Sequence, residues 1–128
     1  MALSRHTLPV IAVVEDDAPL REAIGFSLTA EGYPVRSYHS AEELLEDGDL
    51  TSVACFVIDQ KLPKLDGLRA IEELQRRGMP GRPIVITTRP PAALREACWT
   101  LGVPIVEKPL LGESLNACIR GLLARPVA

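Results

Sequence analysis

Residues 10–19 read VIAVVEDDAP: five apolar side chains in a row, then Glu15, Asp16 and Asp17. A short, unbroken apolar run of this kind is what a strand covered on both faces looks like. The charge at its end is the puzzle. Neighbouring carboxylates repel one another and push each other's pKa upward. Three of them in a pocket cannot all stay ionised unless something positive joins them.

The same alternation of buried strand and helix continues outward from this run. APLREAIGFSLTAEG (18–32) places Leu20, Ile24, Ser27 and Leu28 on one helical face, with Pro19 near the first turn and Gly32 past the end. PVRSY (34–38) is a weaker strand, and SAEELLEDG (40–48) opens with a capping box, Ser40 with Glu43. VACFVID (53–59) is a second strongly buried strand that ends in a carboxylate. DGLRAIEELQRRG (66–78) aligns Leu68, Ile71 and Leu74 behind an N-cap at Asp66. PIVIT (83–87) precedes the helix of PPAALREACWTLG (90–102). VPIVE (103–107) is the last strand and GESLNACIRGLLA (112–124) the last helix, with Leu115, Ile119 and Leu122 inward.

Strict β–α alternation with short connections predicts an α/β fold, a parallel sheet with helices on both faces. The expectation is one domain over 1–128, with a core of about 9–124 and no room for an output domain after the last helix. Nearly half the residues are hydrophobic and net charge is −3, so the electrostatic footprint of a nucleic-acid binder is missing. Arg76 and Arg77 are a short basic spot at a helix end, where cations suit the macrodipole. Cys55, Cys98 and Cys118 lack zinc-like spacing and read as free thiols in a reducing compartment. No run approaches membrane-spanning length and no leader pattern is present, so the expected location is cytoplasmic. His6 falls in a frayed terminus and His39 in a loop; neither reads as a phosphorylated histidine.

Functional groups of an open parallel sheet gather at the carboxyl ends of its strands. Four strand ends here carry one: Glu15 and Asp16, then Asp59, Thr87 and Lys108. If those strands are neighbours, the five residues share a cleft. Hard oxygen ligands in a small site suit Mg2+. A lysine and a hydroxyl beside one carboxylate suit the stabilisation of a phosphoryl group in transfer, with the carboxylate as nucleophile. Plainer readings stand beside these. Asp16 or Asp17 could serve only as a helix N-cap, Asp59 could merely end a strand, Thr87 could be structural, and Lys108 could be a plain ion-pair partner.

VVEDDAPLR, VIDQKLPKLDG, PIVITT and VEKP, in this order and at these strand ends, resemble the receiver domain of bacterial two-component response regulators across essentially the whole chain. The resemblance implies a three-layer sandwich whose sheet has the flavodoxin-like order 2-1-3-4-5. It implies Asp59 as phosphoacceptor, and Mg2+ held by Asp16 directly, Glu15 through water, Asp59 and the backbone carbonyl of Lys61. It also implies Thr87 as the switch hydroxyl, Lys108 as the phosphoryl-stabilising lysine and a cis Lys108–Pro109 bond. The partners it implies are a sensor histidine kinase or histidine phosphotransfer protein and a downstream effector protein, with no direct DNA binding and no membrane contact. A dimer through the face of the fourth helix, fifth strand and fifth helix is a further expectation.

The sequence departs from the family pattern in two places. Where relatives carry a rotating Tyr or Phe, this chain has Ile105, which cannot present a polar edge or swap rotamers in the same way. After Thr87 come Thr88, bulkier than the usual residue, then Arg89, Pro90 and Pro91, in a loop about one residue short; prolines fix φ and restrict the residue before them. The expectation is a stiffer loop, with switching through this loop and its helix. Lys61 and Arg89 flank the mouth of the site. Trp99, the only tryptophan, is expected in the core, with an exposed partner anchor as the other reading. The leading function is a phosphoacceptor receiver that signals by conformational change and has only self-phosphorylation and autodephosphorylation chemistry. The alternative is a degenerate receiver that acts as a phosphorylation-independent interaction module. A phosphatase with an aspartyl nucleophile lacks its second Asp, since Gln60 and Lys61 follow Asp59.

Overall fold

The computed structural model describes residues 8–110 and 112–125; His6 lies outside them. Five strands alternate with five helices among the described residues. In chain order they are β1 (Val10–Val14), α1 (Ala18–Ala30), β2 (Val35–Tyr38), α2 (Ala41–Glu46), β3 (Val53–Asp59), α3 (Gly67–Arg76), β4 (Arg82–Thr87), α4 (Ala92–Leu101), β5 (Ile105–Glu107) and α5 (Ser114–Ala124). All strand pairs are parallel and the sheet order is β2-β1-β3-β4-β5. The expected fold class and strand order are both present.

Period-2 geometry sends successive side chains of a strand to opposite faces. Ile11 and Val13 of β1, Cys55 and Val57 of β3, and Ile84 and Ile86 of β4 pack with Ile24 and Leu28 of α1 and with Leu115, Ile119 and Leu122 of α5. Ala12, Val14, Phe56, Ile58 and Val85 face the other way, onto Leu44 of α2, Ile71 and Leu74 of α3, and Leu94 and Cys98 of α4. Both faces of the central strands are therefore buried, which explains why the runs are apolar without alternation. Cys55, Cys98 and Cys118 are free thiols, as expected.

Local signals act largely as the sequence predicts. Ser40 Oγ accepts from Glu43 N at 3.0 Å, and Glu43 Oε1 reaches back to His39 N at 2.7 Å, one residue ahead of the cap itself. Asp66 Oδ1 accepts from Arg69 N at 3.0 Å and caps α3. Asp17 occupies the N-cap position of α1, but its side chain makes no capping bond. The last strand is shorter than expected, three residues from Ile105.

Two expectations on α4 and its loop need correction. Trp99 is 87% exposed, not in the core. The inward face of α4 consists of Leu94 and Cys98, and a residue one position after Cys98 points about 100° away from it. Arg89, ahead of Pro90, does not take the extended conformation that a proline favours in the residue before it; its φ is 42°, in the left-handed region. Pro90 itself is buried and Pro91 is the N-cap of α4.

Candidate functional site

The strand order reverses between β1 and β3, and the crevice above such a reversal is where open α/β sheets bind ligands. Glu15 follows the last residue of β1 and is fully buried (0% exposed); its N–H continues the sheet to Tyr38 O at 3.1 Å. Asp16 is exposed at the mouth. Asp59 closes β3 at 3% exposure, and Thr87 closes β4 at 2%. Carboxylate oxygens of Glu15, Asp16 and Asp59 lie within 4.8 Å of one another. Lys108, just after β5, brings Nζ to 3.0 Å from Glu15 Oε1 and 3.3 Å from Asp59 Oδ1. Its own N–H donates to Thr87 O at 2.8 Å, and the Lys108–Pro109 bond is cis, as expected. Glu15, Asp16, Asp59 and Lys108 thus come together through their side chains, and Thr87 adjoins them through its backbone carbonyl.

The electrostatics of this cluster are unbalanced. Glu15 Oε2 accepts from Asp17 N at 3.2 Å, whereas buried Oε1 has no hydrogen-bond partner. The approach of Lys108 to Oε1 is close enough for ion pairing, but it is not directed as a hydrogen bond requires. Burial, with the Asp59 carboxylate beside it and Lys108 opposing, pushes the Glu15 carboxyl up to about 7. For Lys108 burial acts downward, and the neighbouring Glu15 and Asp59 outweigh it and raise the ammonium above its ordinary value. Lys108 is the one cation paired with this carboxyl cluster among the described residues.

Of the other sequence-predicted positions, Lys61 donates its N–H to Asp59 Oδ1 at 3.3 Å while its side chain is exposed. Thr88 and Arg89 are exposed beside Thr87. Ile105 is half-buried against the α4-side core, an aliphatic filler at the departed aromatic position. Three further residues escaped the sequence reading. Arg21 Nη1 donates to Glu15 O at 2.8 Å and ties α1 to the acidic turn. Arg95 of α4 pairs with Glu107 of β5 at 2.9 Å. Gln60 Oε1 accepts from Leu68 N at 2.9 Å. Nothing in local pattern reveals contacts of six to twelve residues' separation, although arginine five residues after an acidic pair was a visible oddity.

A family model for the response regulator receiver domain matches residues 11–120. The transcriptional regulatory protein FixJ of Azorhizobium caulinodans is 32% identical over 121 residues, which cover 94% of this chain and 57% of that protein. The response regulator MprA of Mycobacterium ulcerans is 34% identical over 116 residues, covering 90% and 50%. The chain therefore spans little more than half the length of these curated relatives. Among solved structures, FixJ-N gives a TM-score of 0.83 over 96% of this chain and 99% of that one, at 24% identity. TrrA from Thermotoga maritima, in complex with Mg2+-BeF, gives 0.78 over 90% and 99% at 22% identity. At these identities the structures establish the fold, and the match over residues 11–120 establishes the rest: the chain belongs to the response regulator receiver domain family.

Proposed function

We propose that Asp59 accepts a phosphoryl group from a phosphohistidine on a sensor kinase or phosphotransfer protein, and that the chain signals by the conformational change that follows. The observation that supports this reading is Lys108 Nζ standing between Glu15 Oε1 and Asp59 Oδ1, at 3.0 and 3.3 Å, with the buried Oε1 engaged in that ion pair but in no hydrogen bond. That oxygen without a hydrogen bond, and carboxylate oxygens of Glu15, Asp16 and Asp59 within 4.8 Å of one another with Asp16 open to solvent, fit a small dication that keeps several of its waters. Glu15, Asp16 and Asp59 would hold Mg2+, with the backbone carbonyl of Lys61 as the remaining proposed ligand. When bound, Mg2+ would neutralise charge on the carboxylates and on the phosphoryl oxygens.

The chain's own groups do the rest. An Asp59 carboxylate oxygen attacks phosphorus, the P–N bond to the histidine breaks, and the imidazole leaves with its electron pair and takes up a proton. Lys108 offers its ammonium to a phosphoryl oxygen, and Thr87 offers a hydroxyl from the end of β4. Water then cleaves the acyl phosphate and restores Asp59; on this reading the chain turns over no other substrate. Output passes to an effector protein. Direct DNA contact is not part of the proposal for this stretch, whose net charge is −3. A dimer through the α4–β5–α5 face, where Trp99 stands exposed, belongs to the same proposal.

Incubation with acetyl phosphate and Mg2+ tests it. The expected result is a mass gain of one phosphoryl group, lost in Asp59→Asn and on chelation of the metal. A chain that gains no mass while remaining folded and Mg2+-bound would support the phosphorylation-independent interaction module instead.

A further inference from the structure

Gln60, the residue after Asp59, holds three elements together. Its N–H donates to Ile86 O of β4 at 3.0 Å. Its backbone carbonyl accepts from Gly67 N at 3.1 Å, and its side-chain Oε1 accepts from Leu68 N at 2.9 Å. Those are the first two amides of α3, which the helix itself cannot satisfy; the third, Arg69, is taken by Asp66. The approach is close. A Cβ on Gly67 would lie 2.6 Å from Asp59 O and 3.0 Å from Gln60 Cα, so the helix start rests directly on the peptide from which Asp59 projects.

We propose that Gln60 is a positioning residue for the acceptor chemistry. Its two oxygens clamp the start of α3 while its N–H ties the 59–60 peptide to β4, and together these contacts set the direction of the Asp59 carboxylate. The inference rests on the reading of Asp59 as phosphoryl acceptor. Asp59 Oδ1 is the atom that meets both Lys61 N and Lys108 Nζ, each at 3.3 Å, so a tilt of that peptide disturbs both contacts at once. An aliphatic side chain at position 60 keeps the backbone half of the clamp and loses the other. It also leaves the Leu68 amide without its acceptor. Misplacement of a reacting group by about 1 Å costs roughly 100-fold in rate, and a partial loosening about tenfold.

The test compares the wild-type chain, Gln60→Leu and Gln60→Glu in acetyl phosphate and Mg2+, at about 0.5 M salt so that the charge of the glutamate is screened. Rates are taken per folded molecule, with the folded fraction read by circular dichroism. Gln60→Leu is expected to react about tenfold more slowly, with Gln60→Glu, which keeps an acceptor oxygen, within about twofold of wild type. In amide NMR, Gly67 and Leu68 of the wild type should shift on addition of Mg2+ and beryllofluoride, and Leu68 should fall silent in Gln60→Leu. A leucine variant that reacts at the wild-type rate, or a glutamate variant that is folded yet as slow as leucine, would overturn the positioning role and leave Gln60 as a helix cap. Should Gln60→Leu not fold, Gln60→Met replaces it. If the wild type takes up no phosphoryl group, the acceptor reading fails by itself. The clamp is then judged by Mg2+ alone: loss of the Leu68 shift in the leucine variant supports it, and its persistence refutes it.

Discussion

Glu15 keeps its carboxyl proton to about pH 7 because burial withholds water from the anion and Asp59 adds a like charge, while Lys108 only partly compensates. In the unfolded chain the same group ionises near 4.5. Between those values the folded state holds a proton that the unfolded state has released, so metal-free stability falls as pH rises from about 5 to 8, by roughly 1–3 kcal/mol. Lys108, raised above its ordinary 10.5, keeps its charge throughout that window and does not mask the effect. Urea unfolding of the chelator-treated protein at pH 5.5 and pH 8 checks the sign. Glu15→Gln should remove the slope and stabilise the metal-free protein at pH 8, while Mg2+ affinity drops. In the unsubstituted chain that affinity should strengthen through pH 7, as the ligand loses its proton. The identity of these residues was legible in sequence because each closes an apolar run. The proton on Glu15 was not, since it depends on how deeply one carboxylate of an adjacent pair is buried and the other exposed.

Helix α4 is the element the sequence described least well. Its apolar content suggested that Trp99 packs inward, yet Leu94 and Cys98, with partly buried Leu101, form its inward face, and the tryptophan follows on the outer side. Trp99→Ala should therefore change stability by less than about 0.5 kcal/mol, against about 2–5 kcal/mol for Leu94→Ala, as measured by denaturant titration. The Arg95–Glu107 pair links α4 to β5 with both side chains half exposed; its removal should cost at most about 1 kcal/mol. As the only tryptophan and a solvent-facing one, Trp99 also reports on its own helix. If loop and helix carry the switch in place of the aromatic ring absent at Ile105, its emission should change with Mg2+ and beryllofluoride and stay flat in Asp59→Asn. Helix α3 is the opposite case. Its capping Asp66 and apolar spacing were plain, but the contact between Gly67 and the Asp59 peptide joins residues eight apart and has no local signature. Gly67→Ala must displace backbone, and about 1–3 kcal/mol of destabilisation is expected together with slower phosphoryl uptake.

At the scale of the molecule, two separate cores share one sheet, α1 and α5 behind it and α2, α3 and α4 in front. Alternation of strand and helix was enough to foresee helices on both faces, because parallel strands buried on both sides must be apolar throughout, but not which helices share a face. Order within the sheet was another matter. No pattern in β1 states that β3 lies beside it, and the resemblance to receivers supplied what periodicity could not. The acidic cleft follows from that order, since Glu15 and Asp59 face each other only if β1 and β3 are neighbours. Removing the cation that joins them tests the arrangement: Lys108→Met should destabilise the metal-free chain by about 3–5 kcal/mol at pH 8, the scale for breaking a buried pair, and markedly less at pH 5.5, where Glu15 is neutral.

A strand that is apolar on both sides carries little information about its own end point, since its pattern reads the same at each position. β1 is such a strand, and the carboxylates at its tip act as its punctuation. Sliding it inward would drag the exposed Asp16 and Asp17 between the layers, a transfer that charged groups resist strongly. The acids therefore tell the polypeptide where the strand must stop, whether or not a metal or a phosphate ever arrives.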